Sequence, residues 1–222
     1  ERTWTADARN LISMASTGTE AEHFILSSGS EQLQLTTEPA HLRIALTNFD
    51  MATITGVITA LDSIPIAQGM IDGEVLLPTS EGSLLSADVT ISDLHALGTE
   101  LGTLHATAKQ GRPDAYHAEA ELTHTSNRFN AVADITTGAT TAVEAKADID
   151  FKDLSFLKPF VSDYLYTLTG GTAGDIHYKQ KGDQLDLDGA LTFANAGIGV
   201  IQTGAMYTLP SESRTLRNGT VH

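Results

Sequence analysis

Apolar and polar side chains alternate one by one through most of this chain, and the clearest run is 143–151. Val143, Ala145, Ala147, Ile149 and Phe151 fall on one side of it, and Glu144, Lys146, Asp148 and Asp150 on the other. A strand points successive side chains to opposite faces, so the spacing predicts a sheet with one dry and one wet side. Residues 116–122 repeat the pattern, with Tyr116, Ala118, Ala120 and Leu122 opposed by His117, Glu119 and Glu121. Residues 129–135 place Phe129, Ala131, Ala133 and Ile135 together. Residues 185–193 place Leu185, Leu187, Leu191 and Phe193 opposite Asp186 and Asp188. Leu104 and Ala106, and Ile176 and Tyr178, extend the apolar set, and Leu33, Leu35, Leu42, Ile44, Leu46, Val89 and Ile91 alternate in the same way. The inward residues between 104 and 193 are the candidate lining of an apolar groove.

Turn formers punctuate these runs at Gly29-Ser30, Gly111 to Asp114, Thr137-Gly138, Gly182-Asp183 and Asn195 to Gly197. Such spacing predicts roughly a dozen strands or more, joined as hairpins and meanders. One segment departs from it. Leu154, Leu157, Val161, Tyr164, Leu165 and Leu168 recur near helical spacing, and Pro159 suits a first turn. A short amphipathic helix is expected over about 155–168, ended by Gly170-Gly171 and packed on the sheet as a lid. Asp88 to Leu94 (DVTISDL) also matches Asp148 to Leu154 (DIDFKDL). Each copy is an alternating strand that ends in Asp-Leu, and such repetition suits an elongated, stackable architecture. The expected fold is all-β, a long curved antiparallel sheet forming an open trough. It reads as one elongated domain over 1–222, with repeat units near 70–130 and 131–210.

Composition narrows the function. The 222 residues are 41% hydrophobic and 18% charged, apolar enough to fold but too polar for a bilayer-embedded chain. No apolar run reaches the length of a bilayer span. A formal charge of −15, from 28 acids against 13 bases, repels phosphate backbones and argues against nucleic-acid binding. There is no cysteine, which removes thiolate metal sites and cysteine nucleophiles. The chain opens on Glu1 without Met and reads as a segment of a longer protein.

Candidate chemistry is sparse. His117 and Glu119 form an H-x-E pair, but the cysteine half of the zinc deaminase signature is absent. Cross-strand ion pairing accounts for His105, Lys109, His117, Glu119 and Glu121. Asp183, Asp186 and Asp188 lack EF-hand spacing, and alternating leucines put Asp186 and Asp188 on a solvated strand face. Asp148, Asp150 and Asp153 read the same way. No G-x-S-x-G, H-E-x-x-H or Walker loop occurs, and Gly170 to Gly174 precedes a strand pattern rather than a helix. Asn218-Gly219-Thr220 is a glycosylation sequon by pattern alone. No enzyme activity, metal or cofactor is expected.

The stretch from Leu185 to Val200, with Gly189, Leu191, Asn195, Ala196 and Val200, followed by Tyr207, resembles the repeating signature of TamB and AsmA-like proteins. Leu46 to Phe49 with Ile54, Gly69 and Gly73 resembles an earlier unit. Asp88 to Leu94 with Gly98 and Gly102, and Asp148 to Phe160 with Gly170 to Gly174, resemble the next ones. The similarity covers most of 40–222 and is closest to the Bacteroidetes versions. It implies a periplasmic segment of a protein anchored in the inner membrane of a Gram-negative bacterium. It implies a β-taco trough that carries phospholipid between the membranes in outer-membrane biogenesis. The alternative it implies is a scaffold that pairs strands with unfolded outer-membrane barrel proteins. A TamA-like barrel would then be a partner through parts outside this segment. An envelope hydrolase using the surface carboxylates is the least favoured reading. Alanine bears on the groove in two ways: a face lined by it leaves room for a guest chain that Leu or Phe would fill, or lets two halves of the sheet pack close together.

Overall fold

The computed structural model describes residues 3–15, 18–53, 67–217 and 220–221. Ile54 of the resemblance and Asn218 and Gly219 of the sequon lie outside the described residues. The alternating runs form strands. The first are β1 (Thr5–Ala6), β2 (Leu11–Ala15), β3 (Gly18–Glu22), β4 (Phe24–Ser28), β5 (Glu31–Thr37) and β6 (His41–Asp50). Next come β7 (Ala67–Pro78), β8 (Ser86–Ala96), β9 (Thr99–Arg112), β10 (Ala115–Thr123), β11 (Asn127–Thr136) and β12 (Ala142–Phe151). The last are β13 (Leu165–Lys181), β14 (Gln184–Val200), β15 (Met206–Leu209), β16 (Glu212–Arg217) and β17 (Thr220–Val221).

From β4 to β14 every strand pairs antiparallel with its neighbour in sequence, a meander that needs no crossover. β1 lies beside β4, β15 and β16 both pair with β14, and β17 follows β16. The two ends of this 15-stranded sheet do not pair with each other, so it stays an open trough rather than a barrel. β2 and β3 form a separate hairpin, held to the sheet where the Ala21 N–H donates to Thr37 Oγ1 at 2.7 Å. At the β4 edge the Asn10 amide closes the backbone of Ile25. Its Nδ2 donates to the Ile25 carbonyl at 3.0 Å and its Oδ1 accepts from the Ile25 N–H at 2.9 Å. With the Asp7 N–H on the same carbonyl, that side chain extends the short β1 pairing along β4.

Register turns the alternation into continuous rows. One runs Leu26, Leu33, Leu46, Gly73, Val89, Ala106, Ala120, Ala131, Ala147, Ile176, Gly189 and Leu216, each opposite the next. The row behind it, on the wet face, includes Glu74, Asp88, Thr107, Glu119, Val132, Lys146, His177 and Asp188. Gly73, at φ 145°, is where the row needs glycine, since a Cβ would run into the Asp88 carbonyl.

The rows are re-phased at one rim. Asn48, Asp93 and Asn195 have φ of 45°, 50° and 50°, the left-handed region these side chains tolerate best after glycine. Asn48 and Asp93 lie at register shifts, between Leu46 and Phe49 and between Ile91 and Leu94. Asn195 lies opposite the shift between Thr169 and Gly171. Each adds a residue to its strand, and the following Phe49, Leu94 and Ala196 are buried. Gly170, at φ 79°, faces this last bulge, and a Cβ there would meet the Asn195 carbonyl and Ala196 Cα.

At the equivalent point of β12 the chain leaves the sheet instead. Asp153 is extended and caps a 3-10 turn, Leu154–Leu157, by accepting from the Ser155 N–H at 2.8 Å. A single α turn, α1 (Lys158–Val161), follows with Pro159 at its start. The helical spacing over 155–168 thus yields less helix than it predicts. Leu165 and Leu168 belong to β13, where Leu168 pairs with Ile198. A short helix is costly to nucleate, and the sheet ladder outcompetes it at this point. Leu154 is buried with Phe151, Leu168 and Ala196, and Phe129, Ile149, Phe156, Leu157 and Phe193 pack around them. The aromatic rings of Phe151 and Phe156 meet edge to face at 5.0 Å.

Candidate functional site

Across the strands of the dry face, the size of the side chains follows a rule. Leu104, Leu122, Phe129 and Ile149 form one row. Ala106, Ala120, Ala131 and Ala147 form the next, then Ala108, Ala118, Ala133 and Ala145. Tyr116, Ile135 and Val143 form the row beyond. Two alanine rows therefore lie between rows of large side chains, and the floor runs across the strands, along the trough. At about 4.8 Å per strand, the floor from β8 to β12 is about 19 Å long. Val89 and Ala87 continue it at one end, and Ile176 and Tyr178 close it at the other.

This floor is half-exposed rather than sealed, and a furrow of about 340 Å³ lies over Ala87, Val89, Ala106, Ala108, Ala118, Ala120, Ala131 and Ala133. Beside it, a cavity of about 480 Å³ lies under the 154–161 turns. Its lining includes Leu101, Leu122, Phe129, Ile149, Phe151 and Ile176 from the sheet, and Leu154, Phe156, Leu157 and Phe160 from the turns. Both volumes fall in or near the ~300–1,000 Å³ range of small-molecule pockets.

Most of the residues expected to line a groove come together on this face. Tyr178 pairs with Leu187, and Ile149, Gly174 and Leu191 share a row. Ala106, Ala118, Ala120, Ala131 and Ala133 line the furrow, and Leu122, Phe129, Ile149, Phe151 and Ile176 line the cavity beside it. Phe151 is buried in the core with Leu154 and Phe156, and Phe193 packs against that core. Leu185 is 60% exposed, in a polar cleft with Lys179, Lys181, Glu144 and Asp186. Other lining residues escape a reading that starts at Leu104. Ala87 and Val89 were legible in the alternation of β8, and Ala108 in that of β9. Phe156, Leu157 and Phe160 were not, because only the fold-back of the turns brings them over the sheet, and Leu101 was not, because the register shift between Leu94 and His95 takes it out of the alternation of β9.

The wet face is a lattice of exposed ion pairs. His117 Nδ1 lies 2.7 Å from Asp134 Oδ1 and its Nε2 lies 3.2 Å from Glu119 Oε1. Asp134, then Glu119, raise the His117 pKa above its usual value. Lys179 Nζ meets Glu144 Oε1 at 3.0 Å, which raises the lysine pKa. His105 Nε2 sits 2.9 Å from Asp88 Oδ1. Exposed pairs of this kind contribute little to stability. Among the described residues, no group of three or more His, Asp or Glu is placed to hold a metal ion. Asp186 and Asp188 lie on β14 opposite Lys179 and His177. Among the described residues no helix is long and apolar enough to cross a membrane.

Compared with family models, curated proteins and solved structures, the chain matches none of them. The reading of the site therefore rests on the apolar furrow and its geometry.

Proposed function

We propose that this chain is a non-catalytic segment of a TamB/AsmA-like envelope protein. Its alanine-floored furrow holds phospholipid acyl chains on their way between the inner and outer membranes, in the periplasm of a Gram-negative bacterium. The observation that carries the reading is the pair of adjacent alanine rows, walled by larger side chains and left open. Alanine keeps such a floor apolar without filling it. Each methylene transferred from water to an apolar surface gains about 0.8 kcal/mol, so a long acyl chain gains several kcal/mol even when half-covered. Binding of this kind needs no covalent chemistry, and the acidic wet face keeps the outside soluble.

The test is lipid extraction from the purified protein followed by mass spectrometry. Phospholipid is expected to co-purify. Ala133→Asp or Ala145→Asp is expected to abolish it without unfolding the sheet, because an unpaired carboxylate on the floor resists being covered by hydrocarbon. Retention of lipid by both folded variants would remove the furrow as the binding surface.

A further inference from the structure

Thr172 interrupts the large apolar side chains of its row, with Phe151 opposite it on β12 and Phe193 opposite it on β14. The residue is 7% exposed, and its Oγ1 is shut off from water without a hydrogen-bond partner. A buried hydroxyl left unpaired is costly, and valine has the same shape without that cost. Stability alone therefore favours Val at this position.

Thr172 also lines the cavity under the 154–161 turns. Every other lining side chain is hydrocarbon, so Thr172 carries the cavity's one side-chain hydrogen-bonding group. Threonine has staggered χ1 wells, and one step of about 120° carries its hydroxyl to the place its methyl held while the methyl moves to that of the Cβ hydrogen.

We propose that Thr172 turns its hydroxyl into the cavity as a polar anchor, and that the cavity takes an apolar chain bearing one uncharged oxygen, a hydroxyl or an ester carbonyl, at its buried end. The proposal rests on the reading of this face as a guest-binding groove and adds the chemistry of the guest. An ionised head does not belong there, because no lining side chain is cationic and burying an unpaired charge is prohibitive. Hydrocarbon walls supply the attraction, and the single oxygen sets the depth and orientation of the chain.

Competition of decanol and undecane, which match in length, for a bound uncharged naphthylamine probe tests this. The readout is the ratio of decanol to undecane affinity, because in the wild type the cost of desolvating the decanol hydroxyl opposes the gain of pairing it with Thr172. Thr172→Val is expected to lower decanol affinity about tenfold, because the decanol hydroxyl is then buried unpaired, and to leave undecane affinity within about twofold, while Thr172→Ser keeps the wild-type ratio. A decanol-to-undecane ratio that Thr172→Val leaves intact overturns the anchor and leaves the groove standing. If Thr172→Val does not fold, Thr172→Ala, which also lacks the hydroxyl, is read against Thr172→Ser in its place. Displacement of the probe by neither chain overturns the groove and the anchor with it.

Discussion

Along the same strands, two stretches of the dry face meet different fates. Where β10, β11 and β12 carry Leu122, Phe129 and Ile149, the 154–161 turns fold back and build a core on them. One or two rows away the strands carry Ala120, Ala131, Ala147, Ala118, Ala133 and Ala145, and the face stays half-exposed. Hydrogen bonding is the same in both, since the ladder runs through them without a break. The difference is side-chain volume and what lies above. Large side chains at the rim pack with the turns around Phe151 and Leu154, with the cavity of about 480 Å³ between them. Small ones hold a space open.

Deleting a large side chain from the closed region has the largest expected effect. Leu154→Ala leaves a cavity among Phe151, Leu168 and Ala196, and an unfolding free energy lower by about 2–5 kcal/mol is expected in a denaturant titration. A loss under about 1 kcal/mol would show that the turns are not the core they are taken for here. The bulges come next. Asn195→Ala puts a side chain with no local hydrogen-bonding capacity at φ 50°, and a loss of about 1–2 kcal/mol is expected by the same titration. Asn195→Gly is expected to be tolerated better, because the position demands a backbone shape rather than an amide.

Adding volume to the alanine floor has a smaller effect on stability and a clear one on capacity. Ala120→Leu is expected to change stability by less than about 1 kcal/mol, while bound lipid, measured by mass spectrometry, falls. Destabilisation beyond about 3 kcal/mol would mean that the floor is tightly packed, and the contrast between the two regions would collapse. The smallest effect lies on the wet face. An NMR titration is expected to place the His117 pKa above about 6.5, and Asp134→Asn to lower it. A pKa raised by folding contributes stability that is full below about 6.5 and is lost as pH rises through the folded value. With His117 so exposed, melting temperature is expected to change little across that window.

Strand periodicity made the sheet readable from the chain alone. Period-2 alternation in 116–122, 129–135, 143–151 and 185–193 assigned the strands, their dry faces and the alanines, because a strand has no other way to segregate its side chains. The Asp-Leu ending shared by 88–94 and 148–154 was also visible in the letters. Its meaning was not. A left-handed Asp93 adds a bulge in one copy, while the extended Asp153 starts a turn in the other. Each route buries the leucine that follows. Alternation carries no record of an inserted residue, so it could not say which face Phe49 or Leu94 would take. Nor could it show that Leu165 and Leu168, spaced like a helix, would join β13. Those outcomes depend on cross-strand register, which is a property of paired strands rather than of one. The open furrow is tertiary for the same reason: alanines on separate strands make a floor only when pairing sets them in line.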